Sequence, residues 1–314
     1  METTASASFK QKHLLGIEGL APKDIEAVLS TAASFKEISE REIKKVPTLR
    51  GKTIINLFLE PSTRTRASFE IAAKRLSADT ISFSGSGSSL EKGESFKDMT
   101  LTLEAMKPDY IVIRHQCAGA PQLLTRWTQA AVINAGDGAH EHPTQALLDL
   151  FTIKEIFGKF HNLKVSIIGD IAHSRVARSD IWGLTKLGAK VTVAGPKTML
   201  PPEISALGVK VTTDMTQALH ETDVVMLLRI QRERQDNRRL PSLREYAKFY
   251  GLDGDRLKTL PDHAVIMHPG PLNRGVEISP DVADSGRAII THQVTNGIAV
   301  RMAVLYLLQG GREK

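Results

Sequence analysis

Short runs of branched apolar residues alternate with segments of helical period along nearly the whole chain. That alternation restricts the fold more than any other feature. In the first half, Lys52 to Phe58, Thr80 to Ser84, Tyr110 to Arg114 and Ala131 to Asn134 read as strands. Thr65 to Leu76, Glu94 to Met106, Ala120 to Thr128 and Thr144 to Phe157 read as helices, and Pro22 to Ile38 as an amphipathic helix before them. Four strand–helix units make a parallel sheet covered by helices. Gly158-Lys159-Phe160-His161-Asn162 breaks the pattern, and strand runs resume at Val165 to Ile168, Val191 to Ala194, Val209 to Thr212, Val224 to Leu228 and Ala264 to Met267. The expected fold is α/β, with two similar-sized lobes, 1–150 and 151–292, each built on a central parallel sheet flanked by helices. A last helix, Gln293 to Leu308, shows Val294, Ile298, Met302 and Leu305 on one face and could cap either lobe. Between Ile230 and Pro261 lies a polar loop with Arg232, Arg234, Arg238 and Arg239 and a short helical piece near Leu243 to Phe249; loops of that length are usually functional or mobile.

The first lobe carries the densest chemistry. Ser62-Thr63-Arg64-Thr65-Arg66 lies between the first strand and its helix, with Pro61 fixing the approach and Ser62 as a good N-cap. The first N–H groups of a helix have no partner within it, so such a terminus binds anions. Two hydroxyls and two guanidinium groups beyond Ser62 suit a phosphate better than a single carboxylate, which cannot occupy so many donors. Arg114 ends another strand, and His142-Pro143-Thr144-Gln145 opens a helix after the glycine-containing turn Asn134 to Gly138. Charged groups at the carboxyl ends of parallel strands lie where open α/β sheets bind ligands, and Arg64, Arg114 and His142 from three strand ends imply one small anion.

In the second half, Gly169 and Asp170 follow a strand and lead to Arg175, while Arg229 and Gln231 follow another. Gly169 is the only glycine before Gly183, so a dinucleotide fingerprint fails. His268-Pro269-Gly270-Pro271 ends a third strand, offering backbone carbonyls on a loop made rigid by prolines. Ser88 to Glu94 places Lys92 beside Gly93, a cation on a flexible loop. His140, Glu141, His142 and His268 fit no compact ligand spacing, so no metal is expected. No Ser-His-Asp or Cys-His set is apparent, and Cys117 reads as a small filler.

Composition narrows the classes. The chain of 314 residues is 41% hydrophobic and 24% charged, enough for a sizeable core without staples. A single cysteine forbids an intrachain disulfide and disfavours cysteine-based zinc. Met1 to Ser8 are small and polar and no apolar run reaches bilayer length, so cytoplasmic residence is expected. A net charge of +6 suits nucleic acid or anionic small substrates; with 5% aromatics and no nucleic-acid motif, the second is expected.

Ser62-Thr63-Arg64-Thr65-Arg66 resembles the carbamoyl-phosphate loop of the aspartate and ornithine carbamoyltransferases. The Ser89-to-Glu94 loop, Arg114, His142-Pro143-Thr144-Gln145, Arg175, Arg229-Ile230-Gln231 and His268-Pro269-Gly270-Pro271 are similar to the family's other elements. The resemblance implies that Ser62, Thr63, Arg64, Thr65, Arg114, His142, Gln145, Gly270 and Pro271 bind carbamoyl phosphate, with Thr65, Arg114 and His142 catalytic. It implies that Lys92, Arg175, Arg229 and Gln231 bind the amine substrate, that Ser89 and Lys92 come from a neighbouring subunit, and that the chain forms a homo-oligomer, commonly a trimer, without a cofactor. It also implies that the last helix, 293–314, returns to the first lobe. Because the phosphate-binding groups lie in the first half and Arg175 and Arg229 in the second, the lobes are expected to close on substrate. Two arginines in the second lobe suit a dicarboxylate, and the His-Cys-Leu-Pro element of the ornithine enzymes is absent, so L-aspartate is the expected acceptor and N-carbamoyl-L-aspartate and phosphate the expected products, in pyrimidine biosynthesis. Glu91 before Lys92 and Gly270, where other members carry a larger residue, depart from the pattern. Ornithine and a basic nucleic-acid-binding scaffold are the alternatives. A regulatory chain or another pathway enzyme as partner is left open.

Overall fold

In the computed structural model, residues 9–85, 93–230 and 242–310 are described. The chain divides into two compact units, Met1–Phe151 with Thr295–Lys314, and Thr152–Val294.

The first unit runs α1 (Pro22–Glu40), β1 (Thr53–Phe58), α2 (Thr63–Arg75), β2 (Asp79–Ser84), α3 (Phe96–Ala105), β3 (Tyr110–His115), α4 (Ala120–Leu124), β4 (Ala131–Asp137) and α5 (Pro143–Phe157). Its four strands are parallel in the order β2-β1-β3-β4. Helical crossovers cover both faces of such a sheet, so central strands are apolar on both sides. Ile54, Ile55 and Leu57 of β1 and Tyr110 to Ile113 of β3 are accordingly buried. Each such Leu or Ile contributes about 1.5–3 kcal/mol by leaving water. The outer edge of β4 is covered by the N-terminal segment, where Leu14 N donates to Val132 O (2.9 Å) and Asn134 N donates to Leu14 O (2.8 Å). α4 is shorter than the periodicity predicts, because the chain tightens after Leu124: Arg126 N donates to Leu123 O (3.1 Å) and Trp127 N to Leu124 O (3.0 Å), i to i+3 bonds.

The second unit contains β5 (Lys164–Ile168), α6 (Arg175–Lys186), β6 (Lys190–Ala194), β7 (Lys210–Thr212), α7 (Met215–Leu219), β8 (Val224–Leu227), α8 (Leu243–Tyr250), α9 (Gly254–Thr259), β9 (Val265–Met267) and α10 (Pro280–Ala283). Its parallel sheet has the order β7-β6-β5-β8-β9. Ile168, Val225, Leu227, Ile266, Leu252 and Ile278 share one of its buried clusters. The last helix, α11 (Ile290–Gly310), lies against the first unit: Tyr306 meets Phe35 of α1 edge-on at 5.7 Å, and Arg301 donates to Ser68 Oγ of α2 (3.1 Å). No helix among the described residues is long and apolar enough to cross a membrane.

Candidate active site

In the first sheet the strand order reverses between β1 and β3, which is where an open α/β sheet leaves a crevice at its carboxyl edge. β1 delivers α2 there. Ser62 is its N-cap in an extended conformation (φ −163°, ψ 99°), yet the hydroxyl makes no capping bond. Thr63 and Arg64 are exposed, Ser62 is half-buried and Thr65 is buried.

Arg114 stands opposite Phe58 in the β1–β3 register, so it reaches the level at which β1 departs for α2. Its carbonyl accepts from Leu59 N (2.9 Å), its Nη2 lies 2.8 Å from Glu60 Oε1, and Nη1 donates to Ala135 O (3.4 Å). The β3–β4 register shifts at this residue, Ile113 facing Asn134 but His115 facing Asp137. Such a bulge re-aims the side chain beside it. His115 is held below its ordinary pKa, chiefly by burial, and its Nδ1 accepts from Cys117 N (2.8 Å).

The turn after β4 is fixed by a buried carboxylate. Asp137 accepts from Asn134 Nδ2 (2.8 Å), Gly119 N (2.7 Å) and Glu141 N (3.1 Å). Gly138 has φ +47°, and a Cβ there would sit 2.8 Å from Ala118 N, so only glycine fits the turn. It delivers His142, 4% exposed, whose carbonyl accepts from Gln145 N (3.0 Å) at the start of α5. The Gln145 side chain does not complete a cap: its Nε2 donates to Asp149, 3.1 Å from each oxygen. The donor end of the amide is thereby committed, and the carbonyl end is the one left to receive an N–H. Since β1, β3 and β4 are neighbours, Arg64, Arg114 and His142 all issue from the same edge of one sheet.

In the second unit the reversal falls between β5 and β8. Gly169 (φ +136°) ends β5, where a Cβ would meet Leu228 at 3.0 Å. Asp170 binds His173 Nδ1 (2.8 Å), and Ser174 caps α6 by accepting from Ala177 N (3.1 Å), placing the buried Arg175 in the first turn. Leu228 N donates to Ile168 O (2.8 Å), and Arg229 follows it. The two arginines thus follow adjacent strands. His268 is buried and tightly held: its N donates to Gln293 Oε1 (2.9 Å), its Nδ1 accepts from Gly270 N (2.8 Å), and its Nε2 lies 3.2 Å from Glu277 Oε1. The Gly270–Pro271 peptide is cis.

One group of metal-type side chains comes together among the described residues, Glu18, His140 and Glu141, with ligand atoms within 4.8 Å of one another. These atoms already serve the turn: Glu141 accepts from Ile17 N (2.7 Å) and Glu18 N (3.1 Å), and His140 Nδ1 is 3.1 Å from Asp137.

Family models agree with this architecture along most of the chain. Residues 12–155 match the carbamoyl-P binding domain of aspartate/ornithine carbamoyltransferase, and residues 161–308 match the Asp/Orn binding domain. The chain belongs to the aspartate/ornithine carbamoyltransferase family. It is 60% identical over 302 residues to an aspartate carbamoyltransferase catalytic subunit of Moorella thermoacetica, covering 96% of this chain and 98% of that one. Aspartate transcarbamoylase of Trypanosoma cruzi, solved with carbamoyl phosphate and aspartate, superposes with TM-score 0.86 at 29% identity, covering 96% and 98% of the two chains. Ornithine carbamoyltransferase of Pyrococcus furiosus follows with TM-score 0.84 at 30% identity over 95% and 97%.

Of the residues that the carbamoyltransferase resemblance singled out, Ser62 to Thr65, Arg114, His142 and Gln145 share the carboxyl edge of the first sheet, and Arg175, Arg229, Gly270 and Pro271 lie beyond strand ends of the second. Ser89, Lys92 and Gln231 lie outside the described residues. Sequence reasoning missed Glu60, Asp149 and Arg301. Arg301 interrupts a helix face that carries Ile298, Val304 and Leu305, a pattern that marks a charge with buried partners, whereas Asp149 lies four residues from Gln145 on α5. Glu60 carried no such mark.

Proposed function

We infer that this carbamoyltransferase moves the carbamoyl group of carbamoyl phosphate to the α-amino group of L-aspartate, giving N-carbamoyl-L-aspartate and phosphate. The observation that carries the reading is the Phe58–Arg114 register, which aligns a guanidinium with the departure of β1 toward the phosphate-type terminus of α2. The choice of aspartate over ornithine is supported by the 60% identity to a protein named for aspartate, since the fold resembles both kinds of enzyme almost equally.

In this reading Ser62, Thr63, Arg64 and Thr65 hold the phosphate of carbamoyl phosphate, with Ser89 and Lys92 supplied by a neighbouring subunit. Thr65, Arg114 and His142 direct hydrogen-bond donors at the carbamoyl oxygen, stabilising the charge that grows there as the amine attacks the carbonyl carbon. Gln145, and the carbonyls about Gly270 and Pro271, receive the carbamoyl N–H groups. Arg175 and Arg229 grip the two aspartate carboxylates, aided by Gln231 and Lys92. The new C–N bond forms, the C–O bond to phosphate breaks, and the amine proton leaves with the phosphate, so no cofactor is required. The first unit is then the carbamoyl-phosphate domain and the second the aspartate domain. The enzyme acts as a cytoplasmic homotrimer with shared active sites in pyrimidine biosynthesis.

A colorimetric ureido assay with carbamoyl phosphate, run in parallel with aspartate and ornithine, tests this. Product with aspartate alone is expected; product with ornithine alone refutes the assignment.

A further inference from the structure

Among the buried charged residues of the first unit without a direct role in that chemistry are Asp149 and Arg301. Asp149 on α5 is 0% exposed and Arg301 on α11 is 4% exposed. Burying charged side chains is costly, and an apolar pair in their place would often be at least as stable. What an apolar pair cannot do is orient an amide. Both Asp149 oxygens lie 3.1 Å from Gln145 Nε2, which settles which end of that amide faces onward. Arg301 donates to Ser68 Oγ (3.1 Å) and to Gly297 O (2.8 Å), and its guanidinium lies 5.2 Å above the Phe69 ring. Ser68 and Phe69 belong to α2, the helix whose first turn carries Thr63 to Arg66. Gly297 makes the room, since a Cβ there would stand 2.5 Å from Nη1. Burial lowers the Arg301 pKa to about 10, with Asp149 acting in the opposite direction, so the guanidinium stays charged at neutrality.

We propose that Asp149 and Arg301 are positioning residues for carbamoyl transfer: Asp149 turns the Gln145 carbonyl oxygen toward the carbamoyl NH₂, and Arg301, through Ser68 and Phe69, braces the phosphate-binding helix α2. The inference rests on the proposed function for the role of Gln145.

The kinetic test is a double-mutant cycle on kcat with both substrates saturating, each variant being checked by its thermal midpoint. Asp149→Asn should lower kcat about 10- to 100-fold, as expected for a misplaced reacting group. Asp149→Asn combined with Gln145→Ala should be no slower than Gln145→Ala alone, because the first acts through the second. Losses that multiply overturn the inference. A second readout needs no turnover: the side-chain NH₂ resonance of Gln145, assigned by its loss in Gln145→Ala, should shift in Asp149→Asn, and Arg301→Lys, which disturbs the contacts to Ser68 and Phe69 of α2, should weaken inhibition by inorganic phosphate. An unmoved resonance or an unchanged phosphate inhibition overturns the inference even if the enzyme is active. A wild type that fails to carbamoylate aspartate but shows the shifts refutes the proposed function alone.

Discussion

Arg114→Met separates the chemistry of the first unit from its stability. Methionine keeps the aliphatic stem and removes the guanidinium, which lies 2.8 Å from Glu60 Oε1 and donates to Ala135 O at 3.4 Å. The two side chains of the ion pair are 13% and 18% exposed, so water can partly rehydrate the Glu60 carboxylate left behind. The stability cost then lies between that of an exposed and a buried pair, about 2 kcal/mol. For a chain of 314 residues that is a fall of about 3 °C in thermal midpoint. Loss of one donor to a developing oxyanion costs about 10²- to 10³-fold in kcat. Ureido formation measured well below the midpoint, beside a circular-dichroism melt, reads the two effects separately. Glu60→Gln is the control: it breaks the same ion pair but keeps the guanidinium, so kcat should fall by less than about 10-fold. An Arg114→Met enzyme within about fivefold of wild type, or a Glu60→Gln enzyme as damaged as Arg114→Met, refutes the role of the guanidinium.

Three other outcomes follow. Ser62→Ala should cost less than the ~1 kcal/mol usual for an N-cap, because the hydroxyl makes no capping bond, while weakening inhibition by inorganic phosphate; a full capping loss in the melt would contradict the assignment. Burial holds the His115 pKa below the ordinary imidazole value, so the folded state binds that proton less readily than the unfolded chain. The resulting stability is present above the unfolded value and is lost as pH falls through it, so His115→Gln should flatten part of the acid decline in melting temperature between about pH 7 and 5. Glu277→Ala strips the acceptor from Asn273 N (2.6 Å) and His268 Nε2 (3.2 Å) and should destabilise by about 2–5 kcal/mol in urea titrations, whereas Glu277→Gln, which keeps a carbonyl acceptor, should recover most of that.

The strands were legible because a parallel sheet buried on both faces demands continuous apolar runs, as in Tyr110-Ile111-Val112-Ile113. Helix ends were less so. The apolar spacing past Ala120 continues into a tightened turn after Leu124, because i to i+3 bonds carry nearly the same periodicity as a helix. Candidate site residues stand out where chemistry is dense in sequence, as at Ser62 to Arg66. Residues that act through others do not: Glu60, Asp149 and Arg301 have significance only through partners 54 (Glu60–Arg114), four (Gln145–Asp149) and 233 (Ser68–Arg301) positions away. No local spacing reveals that Arg301 on the last helix packs over Phe69; the sequence left that helix free to cap either lobe.

A crystal of the protein soaked with a methylene-phosphonate analogue of carbamoyl phosphate puts the central claim to the most direct test. The phosphonate should sit on the amide and hydroxyl groups of Ser62 to Thr65, with the carbonyl oxygen within about 3.2 Å of Arg114 and His142 and the NH₂ on Gln145 Oε1. A phosphonate bound elsewhere, or a carbonyl turned away from Arg114 and His142, contradicts it.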